Sequence, residues 1–226
     1  MDERESMERF RLVSATLVSA ALVLGTQVAE SAAAAPAGTI VYSVGASVHT
    51  MRPDGNGDRK LPMRLTDLSD PAWSWHGRKL AFDGRGIYTA NANGTGLKQL
   101  TSGAHDFDPS WCPGGRMLVF DRRTSAGSAI MRINADGSGI KRLTNYKDVN
   151  YFPTWSPTAN KIAYHVVQHP GGGLHVMNSD GTGDKAVSDA ATNYFALSWP
   201  RDGKSSHSRA VPAPTTSTRR TPMAPT

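Results

Sequence analysis

The sequence predicts an all-β protein assembled from a repeat of four short antiparallel strands, and two recurring motifs carry that prediction. The first aligns without gaps in four places: residues 48–61 (VHTMRPDGNGDRKL), 87–100 (IYTANANGTGLKQL), 130–143 (IMRINADGSGIKRL) and 174–187 (LHVMNSDGTGDKAV). Its paired glycines, Gly55/Gly57, Gly94/Gly96, Gly137/Gly139 and Gly181/Gly183, return at intervals of 39 to 44 residues. The second motif is Pro-x-Trp with an aromatic residue nine positions after the Trp: Trp73 and Phe82, Trp111 and Phe120, Trp155 and Tyr164. A fourth copy opens at Asn193-Tyr194-Phe195, echoing Asn150-Tyr151-Phe152. It reaches Trp199 and fails after Lys204.

Each element follows from its residues. Within a copy, Pro71, Pro109 and Pro153 open the first strand, where a missing N–H is tolerated. The apolar runs 80–82, 118–120 and 162–164 are second strands, bounded by turn formers and too short for helices. Residues 87–90, 130–133 and 174–177 are third strands. D/N-G-x-G then makes a tight turn, because Asp and Asn tolerate left-handed geometry and Gly supplies positive φ. The segments 97–101, 140–144 and 184–188 are outer strands, carrying Lys98, Lys141 and Lys185 against edge-to-edge aggregation. No segment keeps a helical period. Four antiparallel strands per forty-odd residues, repeated, fold as blades around an axis, which is an all-β β-propeller. The chain enters on a second strand (residues 40–43) and leaves a spare first strand at 194–199. It therefore supplies about four blades closed by strand exchange between the termini, or a truncated arc of a longer propeller.

The block P-x-W-S-x-x-G/A-x-K-I-A-F, followed by I-x-x-x-N-x-D-G-S-G-x-x-R/K-L-T, resembles the TolB-like, WD-repeat-like β-propeller family over about residues 39–204. The resemblance implies that the Pro-Trp strand is innermost and that the D-G turn joins the two outer strands. It implies a binding platform or an accessory domain of an enzyme, and names neither. TolB itself has more blades and an extra α/β domain without counterpart here, so its role in the envelope Tol system does not carry over.

The flanking segments read as an address and a tail. Residues 12–24 (LVSATLVSAALVL) follow Arg9 and Arg11 and precede SAAAAPA at 31–37, so residues 1–37 read as a secretory signal peptide. The alternative is a membrane anchor, since no charge interrupts residues 12–29. The protein is expected to be secreted or extracytoplasmic, in the periplasm or cell envelope, and to meet a membrane only if the segment is uncleaved. Residues 38–204 form the propeller. Residues 205–226, rich in Pro, Ser, Thr and Arg, read as a disordered tail.

Composition removes several functions. The Glu residues are Glu3, Glu5, Glu8 and Glu30, so Asp is the sole carboxylate side chain after Ser31 and an HExxH protease is excluded. Cys112 is the single cysteine, which excludes an internal disulfide and a multi-cysteine metal site. The net charge is +6, but the basic pairs Arg122-Arg123 and Lys141-Arg142 are isolated, which argues against nucleic acid as a partner. Ser138-x-x-Lys141 matches a serine–lysine motif only because every copy has this turn and outer strand. No G-x-S-x-G elbow occurs. Asn134-Ala135-Asp136-Gly137-Ser138-Gly139 resembles half a calcium loop, and turn chemistry explains it better. His165, His169 and His175 form a loose second set around a mobile HPGGG segment.

The remaining candidates are ligand-binding residues in the loops that enter the first strands: Asp70, His105, Asp106, Asp108, Asn150, Tyr151, Asn193 and Tyr194. Their oxygens would converge on one rim of the channel. They would take calcium, the one cofactor considered, or a cationic ligand group. No catalytic residue is assigned. The expected function is an exported, non-enzymatic binding module for a protein, peptide or glycan. The alternatives are an extracellular hydrolase or lyase using Asp and His on that rim, and a truncated propeller fragment without independent function. N-terminal sequencing of the exported protein is expected to start between Ala33 and Gly38, whereas recovery of residues 12–24 would mark an anchor.

Overall fold

A computed structural model describes residues 38–45, 47–65, 67–103, 105–158, 160–167, 172–188 and 197–199, and the backbone of 207–208. The expected signal peptide, most of the tail, His169, Asn193 and Tyr194 lie outside these residues. Every regular element described is a strand. The first sheet has three, β1 (Ile40–Val44), β2 (Ser47–Met51) and β3 (Arg59–Lys60). The second has β4 (Ser69–Trp73), β5 (Lys79–Gly84), β6 (Gly86–Asn91) and β7 (Lys98–Gln99). The third has β8 (Asp106–Trp111), β9 (Met117–Thr124), β10 (Gly127–Asn134) and β11 (Lys141–Arg142). The fourth has β12 (Val149–Trp155), β13 (Lys161–Val167), β14 (Gly173–Asn178) and β15 (Lys185–Ala186). All pairings are antiparallel between sequence neighbours. The strands β4, β8 and β12 touch in turn across successive sheets, which makes them the inner strands.

The apolar strands run unbroken because the second, third and fourth sheets bury both faces. In β5, Leu80 and Phe82 pack toward the first sheet with Val41, Val48 and Leu61, while Ala81 packs toward the third. In β9, Leu118 and Phe120 join the core shared with the second sheet, and Val119 joins that shared with the fourth. Trp111 and Trp155 are buried, and Trp73 is partly buried against the first core. Each Leu, Ile or Phe so enclosed contributes about 1.5–3 kcal/mol.

The turns take the expected form. In the second sheet Gly94 N–H donates to Asn91 O at 2.8 Å, and Asn91 N–H donates to Thr95 O at 2.8 Å. Gly94 is needed twice over. Its φ is +83°, and a Cβ there would come 2.9 Å from Leu61 and Pro62 of the preceding sheet. The half calcium loop is turn chemistry: Asp136 accepts from the Ser138 N–H at 2.8 Å and from its hydroxyl at 2.7 Å. The outer lysines reach sideways. Lys98 donates to Asp136 O at 2.7 Å, and Lys141 to Asp180 O at 3.0 Å, each in the turn of the next sheet.

Three findings differ from the sequence reading. The inner strands begin before their prolines, so Asp70, Asp106, Asp108, Asn150 and Tyr151 stand in strands and not in loops. The register slips between Ser69 and Ala72, Phe107 and Ser110, and Tyr151 and Thr154. These bulges place Pro71, Pro109 and Pro153 where no ladder hydrogen bond is required of them, so proline is tolerated in mid-strand. Second, β16 (Leu197–Ser198) does not fill the place beside β1. It pairs with β17 (His207–Ser208), so the strand-exchange closure is not formed among the described residues. Third, those two β17 residues fall within the segment read as a disordered tail, where they satisfy the backbone groups of β16. Replacing Trp111 by Ala is expected to lower stability to urea by roughly 3–5 kcal/mol. A loss under about 1 kcal/mol would place it outside the core.

Candidate functional site

The inner-strand bulges generate the site. Asp70, Asp108 and Phe152 occupy equivalent bulge positions with φ of +45°, +54° and +55°. Asp adopts such left-handed geometry readily, and Phe does not. One strand outward stand Asp83, Asp121 and His165, each directly after the aromatic end of an apolar run. All three are buried. Asp70, Asp83, Asp108 and Asp121 interact electrostatically as one group. Arg123 is the cation in contact with it. Its Nε donates to Asp121 Oδ2 at 2.9 Å, and a terminal nitrogen stands 3.4 Å from Asp108 Oδ2.

The guanidinium is fixed from both sides. Its carbon lies 4.2 Å from the Phe107 ring centroid and 4.5 Å from that of Tyr151, so an inner-strand ring of its own sheet and one of the next enclose it. Burial, then the charges of Asp121 and Asp70, push the Asp108 carboxyl well above the ordinary carboxylate range. Asp108 is thereby biased toward its neutral form. Burial raises Asp121 too, while the charge and hydrogen bond of Arg123 oppose this. Asp83 accepts a short hydrogen bond from the Ser69 hydroxyl.

The residues expected from sequence separate into three groups. Asp70, Asp108 and Tyr151 belong to this cluster. Asp106 is 1% exposed and is locked in a two-pronged pair with Arg122, at 2.6 and 2.8 Å. Asn150 is buried and ties two sheets together: its amide donates to Ser128 O at 2.7 Å, and its N–H donates to Ser128 Oγ at 2.6 Å. His105 is exposed just before β8, and its carbonyl accepts the Arg123 N–H at 2.8 Å. Asp83, Asp121 and Arg123 were missed. Their signal was an Asp ending two buried apolar runs in the same register, LAFD and LVFD. Among the described residues no group of three His, Cys, Asp or Glu is arranged to hold a metal ion, so calcium here would need backbone carbonyls or water as further ligands.

Blades stacked through buried faces, with inner strands lining an axis, define a β-propeller. Solved structures that share this fold include proteins described as TolB. A protein described as TolB from Agrobacterium tumefaciens superposes with a TM-score of 0.70 at 15% identity, covering 76% of this chain and 66% of that one. The nidogen/laminin complex gives 0.60 at 11%, covering 72% and 66%. An oligogalacturonate lyase in complex with manganese gives 0.57 at 12%, covering 74% and 54%. At these identities the likeness fixes the fold, and the chain spans less than two thirds of the length of each. No protein-family model matches the sequence, and no curated protein matches it.

A carboxyl held protonated in the folded state makes folding take up a proton. Stability from Asp108 is therefore full below the ordinary carboxylate range and is lost as pH rises through the raised value. Asp108→Asn keeps the backbone geometry and removes the buried charge. It is expected to raise Tm at pH 7 and to leave it unchanged near pH 3, which thermal scans across pH will measure.

Proposed function

We propose that the protein is an exported, extracytoplasmic, non-enzymatic binding module that takes a protein, peptide or glycan at the channel end where the inner strands begin. The single observation that carries this is the group of four aspartates, Asp83 and Asp121 buried and Asp70 and Asp108 part-exposed, held with one arginine packed against two rings. Its acid excess favours a partner that presents a cationic group, which makes a protein or peptide the better fit. Calcium is the inorganic ion that would compete for the same oxygens. The TolB and nidogen/laminin neighbours are consistent with protein partners. The lyase neighbour keeps an enzymatic reading in play, with Asp108, the carboxyl raised well above its ordinary range, as the acid beside Asp121.

The test uses the exported protein as bait against a library of Lys- and Arg-bearing peptides, with glycan arrays and pectic oligosaccharides run in parallel. Peptide capture is expected to fall at least tenfold in an Asp70→Asn/Asp108→Asn variant and to weaken with salt. Unchanged capture by the variant would sink the channel reading. Cleavage of an oligosaccharide, abolished by Asp108→Asn, would replace it with the enzymatic one. Calcium that raises Tm in the intact protein but not in the variant would identify the ion as a ligand of this end.

A further inference from the structure

A second polar site stands apart from the channel cluster. Three positions that meet on the outer half of each sheet are occupied in two ways. In the second sheet they are Phe82, Tyr88 and Leu97, and in the third Phe120, Met131 and Ile140. The fold is served well by the apolar sets: Phe82, Tyr88 and Leu97 pack into one core, and Phe120 and Met131 into the next. In the first and fourth sheets all three change together, to Tyr42, His49 and Asp58 and to Tyr164, His175 and Asp184. The polar sets have the same geometry. Tyr42 donates its hydroxyl to Asp58 at 2.7 Å, and Tyr164 to Asp184 at 2.8 Å. His49 Nδ1 lies 3.0 Å from Asp58, and His175 Nδ1 3.1 Å from Asp184 Oδ2. The Tyr and His rings are tilted at 5.7 and 5.6 Å.

The fourth-sheet trio borders a cavity. The segment that leads from β11 to β12 lines, with Tyr164 and His175, a half-open cavity of about 380 Å³. That volume lies in the range of small-molecule sites. Asp148 and Asp184 supply carboxylates to it, and Thr144 and Asn145 line it with polar side chains. No Lys or Arg lines it among the described residues, and none of the channel aspartates does. Asp184 is fixed by its Tyr and His partners, yet its side chain is 42% exposed. A carboxylate has about four acceptor sites, so a ligand arriving from solvent finds capacity there.

We propose that this cavity is a binding site for a small organic cation carrying a primary ammonium, seated on the Asp184 carboxylate. Three N–H donors on a compact head match carboxylate, hydroxyl and amide oxygens, and the acidic lining disfavours anions. The site is independent of the channel reading. Calorimetric titration of the exported protein with 1,5-diaminopentane is expected to give saturable binding that the neutral 1,5-pentanediol does not. Asp184→Asn is expected to weaken it at least tenfold and Tyr164→Phe several-fold. Asp58→Asn, in the equivalent trio of the first sheet, and Asp108→Asn, in the channel, are expected to leave it within twofold. Asp148→Asn, expected to weaken binding about fivefold, decides the matter if the Asp184 variant does not fold. Absence of saturable heat from the intact protein overturns the proposal. So does equal weakening by Asp58→Asn, which marks diffuse surface charge, or loss through Asp108→Asn, which moves the ammonium to the channel.

Discussion

The second, third and fourth sheets are apolar on both faces, and the rest of the architecture answers that constraint. A sheet with one apolar face can end a stack; a sheet with two needs a neighbour on each side. Alternate residues of β5, β9 and β13 therefore belong to different cores, as Phe82 and Ala81 do, or Phe120 and Val119. The glycine turns exist so that a backbone can approach the preceding sheet closely, and the inner-strand bulges give the strands the bend that an axis demands. Stability of this kind is distributed over interfaces between repeats, not concentrated in one nucleus.

Polar chemistry is confined to places where this stacking leaves room. The channel cluster sits where the inner ladders slip, so that Asp70 and Asp108 occupy backbone geometry few residues accept. Gathering several carboxyls together is costly, and two devices offset the cost: an Asp108 carboxyl biased toward its neutral form and a guanidinium packed against Phe107 and Tyr151. The clamp joins two sheets, so the electrostatics of the channel and the alignment of the blades are not separable. Asp106 and Asn150 spend their polar groups on the scaffold itself.

The fold was legible because the repeat states it four times over. Periodicity, glycine placement and the Trp spacing give strand order and turn type, and the family resemblance implies which strand is innermost. The bulges were not legible, because a proline reads as the start of a strand unless the ladder is known to slip there. Half the site was readable because Asp70, Asp108 and Tyr151 stand shortly before the Pro-x-Trp motif in successive copies. Asp83 and Asp121 escaped because a polar residue at the end of an apolar run looks like the onset of a turn. Arg123 escaped because its partners come from two separate strands, and only tertiary structure brings Phe107 and Tyr151 to its two faces. The alternative pairing of β16 was hidden for a similar reason: a lone inner-strand motif does not say which edge it will join.

Among the described residues, three side chains on or beside the outer strands donate in one direction. Lys98 reaches forward to the turn of the third sheet, and Lys141 and Arg132 reach forward to that of the fourth. The stack is thus polar in the manner of a ratchet, with each blade holding the next by its outer corner. A force that peels the chain from its C-terminal end strips these fastenings one blade at a time. A force applied at the N-terminal end meets the same bonds in the reverse order, since each spans the interface between two blades. The two ends of the molecule therefore release one set of fastenings in opposite sequence.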